Sequence, residues 1–390
     1  MLLELHMLQN FAPSCLNRDD TNSPKDCEFG GFRRARISSQ CLKRAIRKAF
    51  QDRQLLPPEA LAFRSKRVVD ELANQLAGRG RDREASLAAA QAVLEGAGLS
   101  LDDGKTQYLL FLGNDQAAAL ADLIDANWDV VAALQEKGGA EGAEGKKGKG
   151  AKKEAKSKFP SELESAVEAA LQGSRAVDLA LFGRMLADLK AMNVDAACQV
   201  AHAISTNRMN LEFDYYTAVD DLMPEDESGA GMIGTVEFNS ACFYRYANVS
   251  LPQLERNLGG DRELARQAVR AFLSASVEAI PTGRQNGMAA HNPPSLILAV
   301  VRRQGFWNLA NAFVRPIRPA AESSLIDSSI AALDRYWGEL TSLYGEAEIA
   351  GAKVCRLGDG ELSALAPYRV GRLSELVDGT MDLLAGEALP

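Results

Sequence analysis

Apolar and polar positions change their spacing several times along the chain. Over residues 2–8, Leu3, Leu5 and Met7 alternate with Glu4 and His6, which predicts a first strand with one buried face. From Asn10 to Ile37 the alternation lapses, and Pro13, Pro24 and the Gly30–Gly31 pair predict a long loop. Ser38 or Ser39 then caps a helix, because either hydroxyl can accept from the free N–H groups of the first turn. Residues 58–135 are rich in Ala and Leu at helical spacing. Residues 136–158 are almost entirely Gly, Lys, Ala and Glu, with nothing large and apolar to bury, and predict a flexible surface insertion. Ser161 and Glu164 fit a capping box for a further helix.

The pattern differs from Val177 onward. VDLALFGRM (177–185) and residues 197–205 suit buried strands or short helix–strand junctions. Residues 210–235 are rich in Asp, Gly, Pro and Ser, with Phe213, Tyr215 and Tyr216 at one end, and predict a projecting hairpin or loop. Residues 236–249 read as a strand with Phe243, Arg245, Ala247 and Val249 on one face. Residues 296–301 read as a central strand, and helical spacing returns over 261–279 and 322–343. The sum is an α+β fold with a helical insertion and a hairpin-like one.

Composition narrows the class. With 46% hydrophobic and 25% charged residues, the chain is neither disordered, collagen-like nor a coiled coil. Six cysteines without a CxxC and three well-separated histidines imply free thiols in a reducing cytoplasm, no metal site and no cofactor. The first ten residues do not have the form of a signal peptide. The longest apolar run, Leu296 to Val301, falls far short of the ~18 residues of a membrane span, so no membrane partner is expected.

Charge supplies the strongest local signal. The chain carries a net −8, yet residues 1–50 hold nine basic and five acidic side chains. At ~100° per residue, Leu42, Ala45, Ile46, Ala49 and Phe50 share one side of the helix after Ser38. Lys43, Arg44, Arg47 and Lys48 share the other, with Arg33, Arg34 and Arg36 just before them. This face is expected to have no acid partner at i+3 or i+4, so its cations repel until an external anion such as a phosphate backbone binds. A solvated basic face is the plainer reading.

Other chemistry is sparse. GxSxG, HExxH and GxxxxGK[ST] are absent, and no nucleophile pattern accompanies His291. Asp19–Asp20, Asp26 and Asp220–Asp221 are candidate magnesium ligands or, more ordinarily, turn and cap residues. Phe213, Tyr215 and Tyr216 either stack on bases or pack beneath their own hairpin. Met185, after the Gly183–Arg184 turn, either wedges between bases or fills a core.

Several segments together resemble the CasC family, the repeated backbone subunit of the type I-E CRISPR Cascade surveillance complex. They are LNRDD (16–20), PKD (24–26), GG-x-RRARISSQ-x-LKRAIR (30–47), DLALFGRM (178–185), AHAIST (201–206), DYYTAVDDL (214–222), GTVEF (234–238) and FYRYANVSL (243–251). The resemblance covers most of the chain but not the insertion at 136–158. It implies a modified RRM-like, ferredoxin-like palm formed by residues 1–54, 176–206 and 237–390. It also implies helical fingers at 55–175 and a thumb at 207–236 that includes Phe213, Tyr215, Tyr216 and Thr217.

The resemblance further implies a non-catalytic, cytoplasmic protein. Its partners would be CRISPR RNA, other copies of itself, other Cascade subunits and, through the guide, target DNA. Arg18, Lys25, Ser38, Gln40, Lys43, Arg44 and Arg47 match RNA-backbone contacts. Met185 matches a residue that abuts a guide base, and Arg284 and Gln285 fall in a weaker matching segment. The alternative is a metal-dependent endoribonuclease related to type III CRISPR backbone subunits, with Asp19, Asp20 or Asp26 as the catalytic carboxylate.

Overall fold

The computed structural model describes residues 1–133, 160–186, 190–218, 232–319 and 323–386. The Gly/Lys-rich segment, the Asp220–Asp221 pair and the outer part of the expected hairpin lie outside these residues. Strands β1 (Leu2–Ser14), β2 (Asp26–Phe29) and β3 (Phe32–Ile37) precede helix α1 (Ser39–Asp52). Next come β4 (Ala62–Ser65), α2 (Val68–Gly78), α3 (Arg83–Gly96), β5 (Leu101–Asp102), β6 (Lys105–Thr106), β7 (Leu110–Gly113) and α4 (Asn114–Ala126). The later strands are β8 (Cys198–Val200), β9 (Ala203–Ser205), β10 (Glu212–Ala218), β11 (Met232–Ser250), β12 (Leu296–Arg302) and β13 (Ile349–Arg356). The fold class is α+β, as expected from the sequence.

The chain forms two compact units. One comprises residues 1–53, 198–250 and 269–390; the other comprises 54–197 and 251–268. The first is built on an antiparallel sheet ordered β13-β12-β1-β11-β9-β3-β2, with β8 and β10 also paired to β11. β1 lies between β11 and β12. Both its faces are covered, which corrects the expectation of one buried face. The Leu42 side of α1 packs with Phe11, Ile37 and Phe243 on one side of the sheet. The helix Leu325–Tyr344, through Ile330, Leu333 and Trp337, packs with Leu8, Tyr244, Leu298 and Val300 on the other.

Double burial forces the polar residues of β1 to find partners. Gln9 donates to Asn292 O at 2.6 Å and accepts from Arg245 Nη1 at 2.6 Å. His6 Nδ1 meets the Tyr244 hydroxyl at 2.8 Å. Glu4 Oε1 accepts from the Tyr246 hydroxyl at 3.1 Å and from the Trp307 amide. Arg302 Nε stands 3.9 Å from Glu4 Oε2, too long for a hydrogen bond. Burial therefore prevails and pushes the Glu4 carboxyl up to about 7, against the pull of Trp307, Arg302 and Tyr246. Burial, reinforced by Arg302, pushes His6 down to about 3.

The expected loop from Asn10 to Ile37 is also corrected. β1 continues to Ser14, and β2 and β3 form a hairpin. Gly30 (φ 62°) and Gly31 (φ 78°) make the two-residue turn that positive φ at both central positions demands. The glycine pair therefore joins two strands. A β-carbon on Gly30 would lie only 2.3 Å from Val314 O, so this turn also sits against a later segment.

That later segment is held by Arg34, which is fully buried. Its Nη1 donates to Ser205 O at 3.0 Å and Thr206 O at 2.8 Å. Its Nη2 donates to Phe313 O at 2.7 Å and Val314 O at 3.1 Å. Arg34 thus does not belong to the solvent-facing basic group read from the sequence. It is a cross-link of main chain, and its planar fork suits four carbonyls as a lysine ammonium would not.

The second unit packs α2, α3, α4 and the helix Ser161–Gln172 around Leu72, Leu76, Val93, Leu120 and Val167. Ser161 is the first helical residue after an N-cap at Pro160, which makes no side-chain cap bond; the capping box expected at Ser161 is therefore not formed. VDLALF forms a short helix, Val177–Phe182, so of the two readings of this stretch the strand does not hold.

Replacing Arg34 with Lys should lower unfolding free energy by roughly 2–4 kcal/mol, because two or more buried carbonyls lose their donor. Denaturant melts showing a loss below about 1 kcal/mol would refute that role.

Glu4 and His6 give opposite pH dependences. Between about 4.5 and 7 the folded chain holds a proton at Glu4 that the unfolded chain has released, so this contribution is lost as pH rises. Between about 3 and 6.5 the unfolded chain holds a proton that folded His6 lacks, so that contribution is lost as pH falls. Glu4→Gln removes only the first. The melting temperature of Glu4→Gln minus that of the wild type should therefore climb from about pH 5 to 7.5, by the equivalent of roughly 2–3 kcal/mol. A flat difference would show that Glu4 is ionised throughout.

Candidate nucleic-acid interface

α1 forms where the sequence places it. Ser38 is the N-cap, and its hydroxyl accepts from Cys41 N at 3.4 Å. The Ser38 amide is itself bound by Asn17 Oδ1 at 2.8 Å, which docks the helix start against the preceding loop. Leu42, Ile46, Ala49 and Phe50 are buried, and Ala45 is half-buried. The opposite side divides: Arg44 and Lys48 are exposed, whereas Lys43 and Arg47 are half-buried. Lys43 lies within electrostatic reach of Cys198 at the start of β8.

The expectation that this face lacks acid partners is corrected. Lys48 Nζ stands 3.9 Å from Asp52 Oδ2, at i+4. Arg53, just past the helix, pairs with Glu278. Exposed pairs of this kind contribute little, ~0–1 kcal/mol, and a phosphate competes with them readily.

Arg44 and Lys48 line a cleft of about 540 Å³ with Arg18, Arg53, Asp19 and Asp52; the 279–283 segment closes its far wall. Arg18 reaches Asn22 Oδ1 at 3.1 Å and remains exposed. Asp19 is consumed by its own turn: Oδ1 accepts from Thr21 N at 2.9 Å, Thr21 Oγ1 at 2.8 Å and Ser23 N at 2.9 Å. The Thr21 hydroxyl contributes most to holding the Asp19 carboxyl below its usual range. Asp26 pairs with Arg33. Among the described residues, no group of three or more His, Cys, Asp or Glu side chains is placed to hold a metal ion.

A second set of cations gathers at the start of α1. Arg36 Nη1 lies 3.0 Å from His202 Nδ1, and its Nε donates to Asp26 O at 2.9 Å. Burial first, then Arg36 and Lys25, pushes His202 down, so the neutral ring accepts from the guanidinium. Lys25 is half-buried, and its amide and carbonyl tie Asn17 to Arg36. Gln40 is exposed, whereas Ser38 is buried and occupied as the cap. The Arg36–His202 pair escaped the sequence reading because 166 residues separate its members. No spacing rule could have found it.

Arg284 and Gln285 sit across from the Cys15–Leu16 backbone. A β-carbon on neighbouring Gly283 would lie 2.4 Å from Leu16 O. Arg284 adopts φ 47° and acts on Cys15. Gln285 Nε2 donates to Pro281 O at 3.0 Å and Ala290 O at 3.3 Å, so its amide braces its own loop.

The aromatics of the β10–β11 hairpin are solvent-facing. Phe213 and Tyr215 are 63% and 64% exposed. With Thr217 they share a strand face opposite Glu237, Thr235 and Ile233. Tyr216 points to the other face and covers Gly234, where a β-carbon would collide with its ring. Packing beneath the hairpin therefore does not describe Phe213 or Tyr215.

Met185, in the helical unit, is 89% exposed. Its neighbour Arg184 is buried and donates to Phe111 O, Leu171 O and Met192 O, and to Gln116 Oε1. Gly183, at φ 76°, lets this turn close against Val194. A rigid turn thus holds an apolar side chain in water, so Met185 does not fill a core.

No curated protein sequence matches the chain. Solved structures do. A chain of a structure described as a CRISPR RNA-guided surveillance complex, pre-nicking, is 30% identical with a TM-score of 0.82, covering 98% of this chain and 99% of that one. A chain of a second structure, described as a CRISPR RNA-guided surveillance complex, is 26% identical with a TM-score of 0.73, covering 98% and 99%. The model of one family, described as CT1975-like protein, matches residues 3–379. With that match running almost from end to end and the fold shared, the chain belongs to the CT1975-like protein family.

Proposed function

We propose that this protein is a non-catalytic CRISPR RNA-binding backbone subunit of a type I-E, Cascade-like surveillance complex. Several copies would line one guide RNA and present its bases to target DNA. The observation that carries this reading is the exposed cationic surface of α1 and its surroundings, in a chain whose fold matches subunits of RNA-guided surveillance complexes. Arg18, Arg44 and Lys48 would grip phosphates from the cleft, with Lys25, Gln40, Lys43 and Arg47 extending the grip along the helix. Backbone contacts fix register without reading sequence, which leaves specificity to base pairing.

The remaining pieces fit the same task. Met185 would abut a guide base, and Phe213, Tyr215 and Thr217 would cover the strand held by a neighbouring copy, in a palm, fingers and thumb arrangement. Against the nuclease alternative stands the state of its carboxylates. Asp19 Oδ1 is occupied by Thr21 and Ser23 and Asp26 is paired to Arg33, which leaves the exposed Asp20 as the carboxylate to test. DNA cleavage would then belong to another protein.

Co-expression with a CRISPR array and the neighbouring genes should yield the protein with a discrete RNA bound in several-to-one stoichiometry. A nucleic-acid-free monomer would refute the reading. Intact RNA after incubation with magnesium is the expected result; cleavage abolished by Asp20→Ala would favour the nuclease instead.

Single-stranded RNA affinity should fall with salt at a log–log slope of about −0.7 per phosphate neutralised. Replacing Lys43 and Arg47 together with Ala should flatten that slope by roughly one to two units. An unchanged slope would place the RNA elsewhere.

A further inference from the structure

The root of the β10–β11 hairpin carries cations that do not line the α1 cleft. The segment leaving β9 continues from the Ser205 and Thr206 carbonyls, which Arg34 binds, to the exposed Arg208. The segment beginning at the Phe313 and Val314 carbonyls, also bound by Arg34, continues to the exposed Arg315 and Arg318. The two segments touch directly, Ile317 N donating to Thr206 O at 2.9 Å. Met209 N donates to Arg33 O at 2.9 Å, which fastens the far side of Arg208 to β3. One buried guanidinium therefore fixes the backbone beneath three exposed ones.

Three further features point to a ligand. Among the described residues, the ion pairs of this unit engage Arg33, Lys48, Arg53, Arg270, Arg302 and Arg356, and none engages Arg208, Arg315 or Arg318. Pro316 and Pro319 follow two of these arginines directly. A residue before proline is biased to extended backbone, which fixes the direction in which these side chains leave the chain. Finally, Phe32 is 39% exposed at the β2–β3 turn, whose Gly30 contacts Val314. Guanidinium forks and an accessible aromatic ring on adjoining segments suit phosphates and an unstacked base of one strand.

We propose that Arg208, Arg315 and Arg318 form a second phosphate-binding surface for single-stranded nucleic acid, with Phe32 as its stacking platform. The inference rests on the reading of the protein as a guide-RNA subunit and adds a contact set separate from α1. Guide RNA and target DNA present the same phosphate chemistry to it. Nucleic acid is favoured over an acidic protein surface because Phe32 offers a base-sized platform on the turn whose Gly30 meets Val314, next to Arg315 in sequence, and because β3, which carries Arg34, leads into α1.

The test uses the full-length protein and labelled single-stranded RNA, with salt titrations of the wild type, R208A/R315A/R318A, R208K/R315K/R318K and K43A/R47A. The alanine triple variant should flatten the log–log slope by up to about two units, at ~0.7 per phosphate, while the lysine triple variant retains it. Guide-loaded protein titrated with complementary DNA separates the sources: flattening confined to that arm assigns the surface to target DNA, and flattening in the RNA arm assigns it to the guide. Unchanged slopes in both arms, with K43A/R47A still flattening, would overturn this surface and leave the α1 reading intact. The reverse pattern would overturn the α1 contacts and keep the surface. Wild-type protein that binds no nucleic acid overturns both. Unchanged slopes with fewer protein copies per RNA would assign the arginines to contact between copies and overturn the nucleic-acid proposal.

Discussion

The sheet-bearing unit depends on a charge buried without a carboxylate. Arg34 reaches two chain segments more than a hundred residues apart and satisfies main-chain carbonyls on each. Such carbonyls are costly to bury without donors, and a single rigid fork supplies donors to four of them. The arrangement sets the root of the β10–β11 hairpin relative to β3, and β3 leads directly into α1. The β10–β11 hairpin and α1 therefore share one fixed point.

Within each unit the exposed groups divide by what they can recognise. The cations of α1 and its neighbouring loops suit a repeating charge and are indifferent to base identity. The exposed apolar side chains, Met185 and Phe213 with Tyr215, suit the faces of bases, equally without regard to sequence. Each is held out by structure: Arg184 anchors the turn before Met185, and paired strands carry Phe213 and Tyr215.

What the sequence revealed was local. The two sides of α1 follow from a 3.6-residue period within fourteen residues, and Ser38 announces its own cap. The exposed aromatics and Met185 were visible as residues, but their exposure was not, because burial depends on what packs above them. Glu4 and His6 looked like a solvent face since the helix that covers them lies more than three hundred residues later. Arg34 looked like one more surface cation for the same reason. Gly30–Gly31 was read as a break, although a glycine pair serves a tight hairpin equally well. The Lys48–Asp52 pair was present in the sequence at i+4, with Asp52 at the very end of the helix.

β11 extends the argument into mechanics. Its nineteen residues run without interruption from the exposed Met232, through the buried Ala241–Val249, to Ser250. The inner half is gripped by β1 on one side and by β8 and β9 on the other, whereas β10 is the partner of the outer half. A slip of one residue would turn Tyr244 and Tyr246 out of their layer and replace them with Phe243 and Arg245. The hairpin therefore behaves as a cantilever with a welded root: it can bend or twist under load, but it cannot slide. A force applied to the outer half of β11 arrives at β1 as torque, with the register intact.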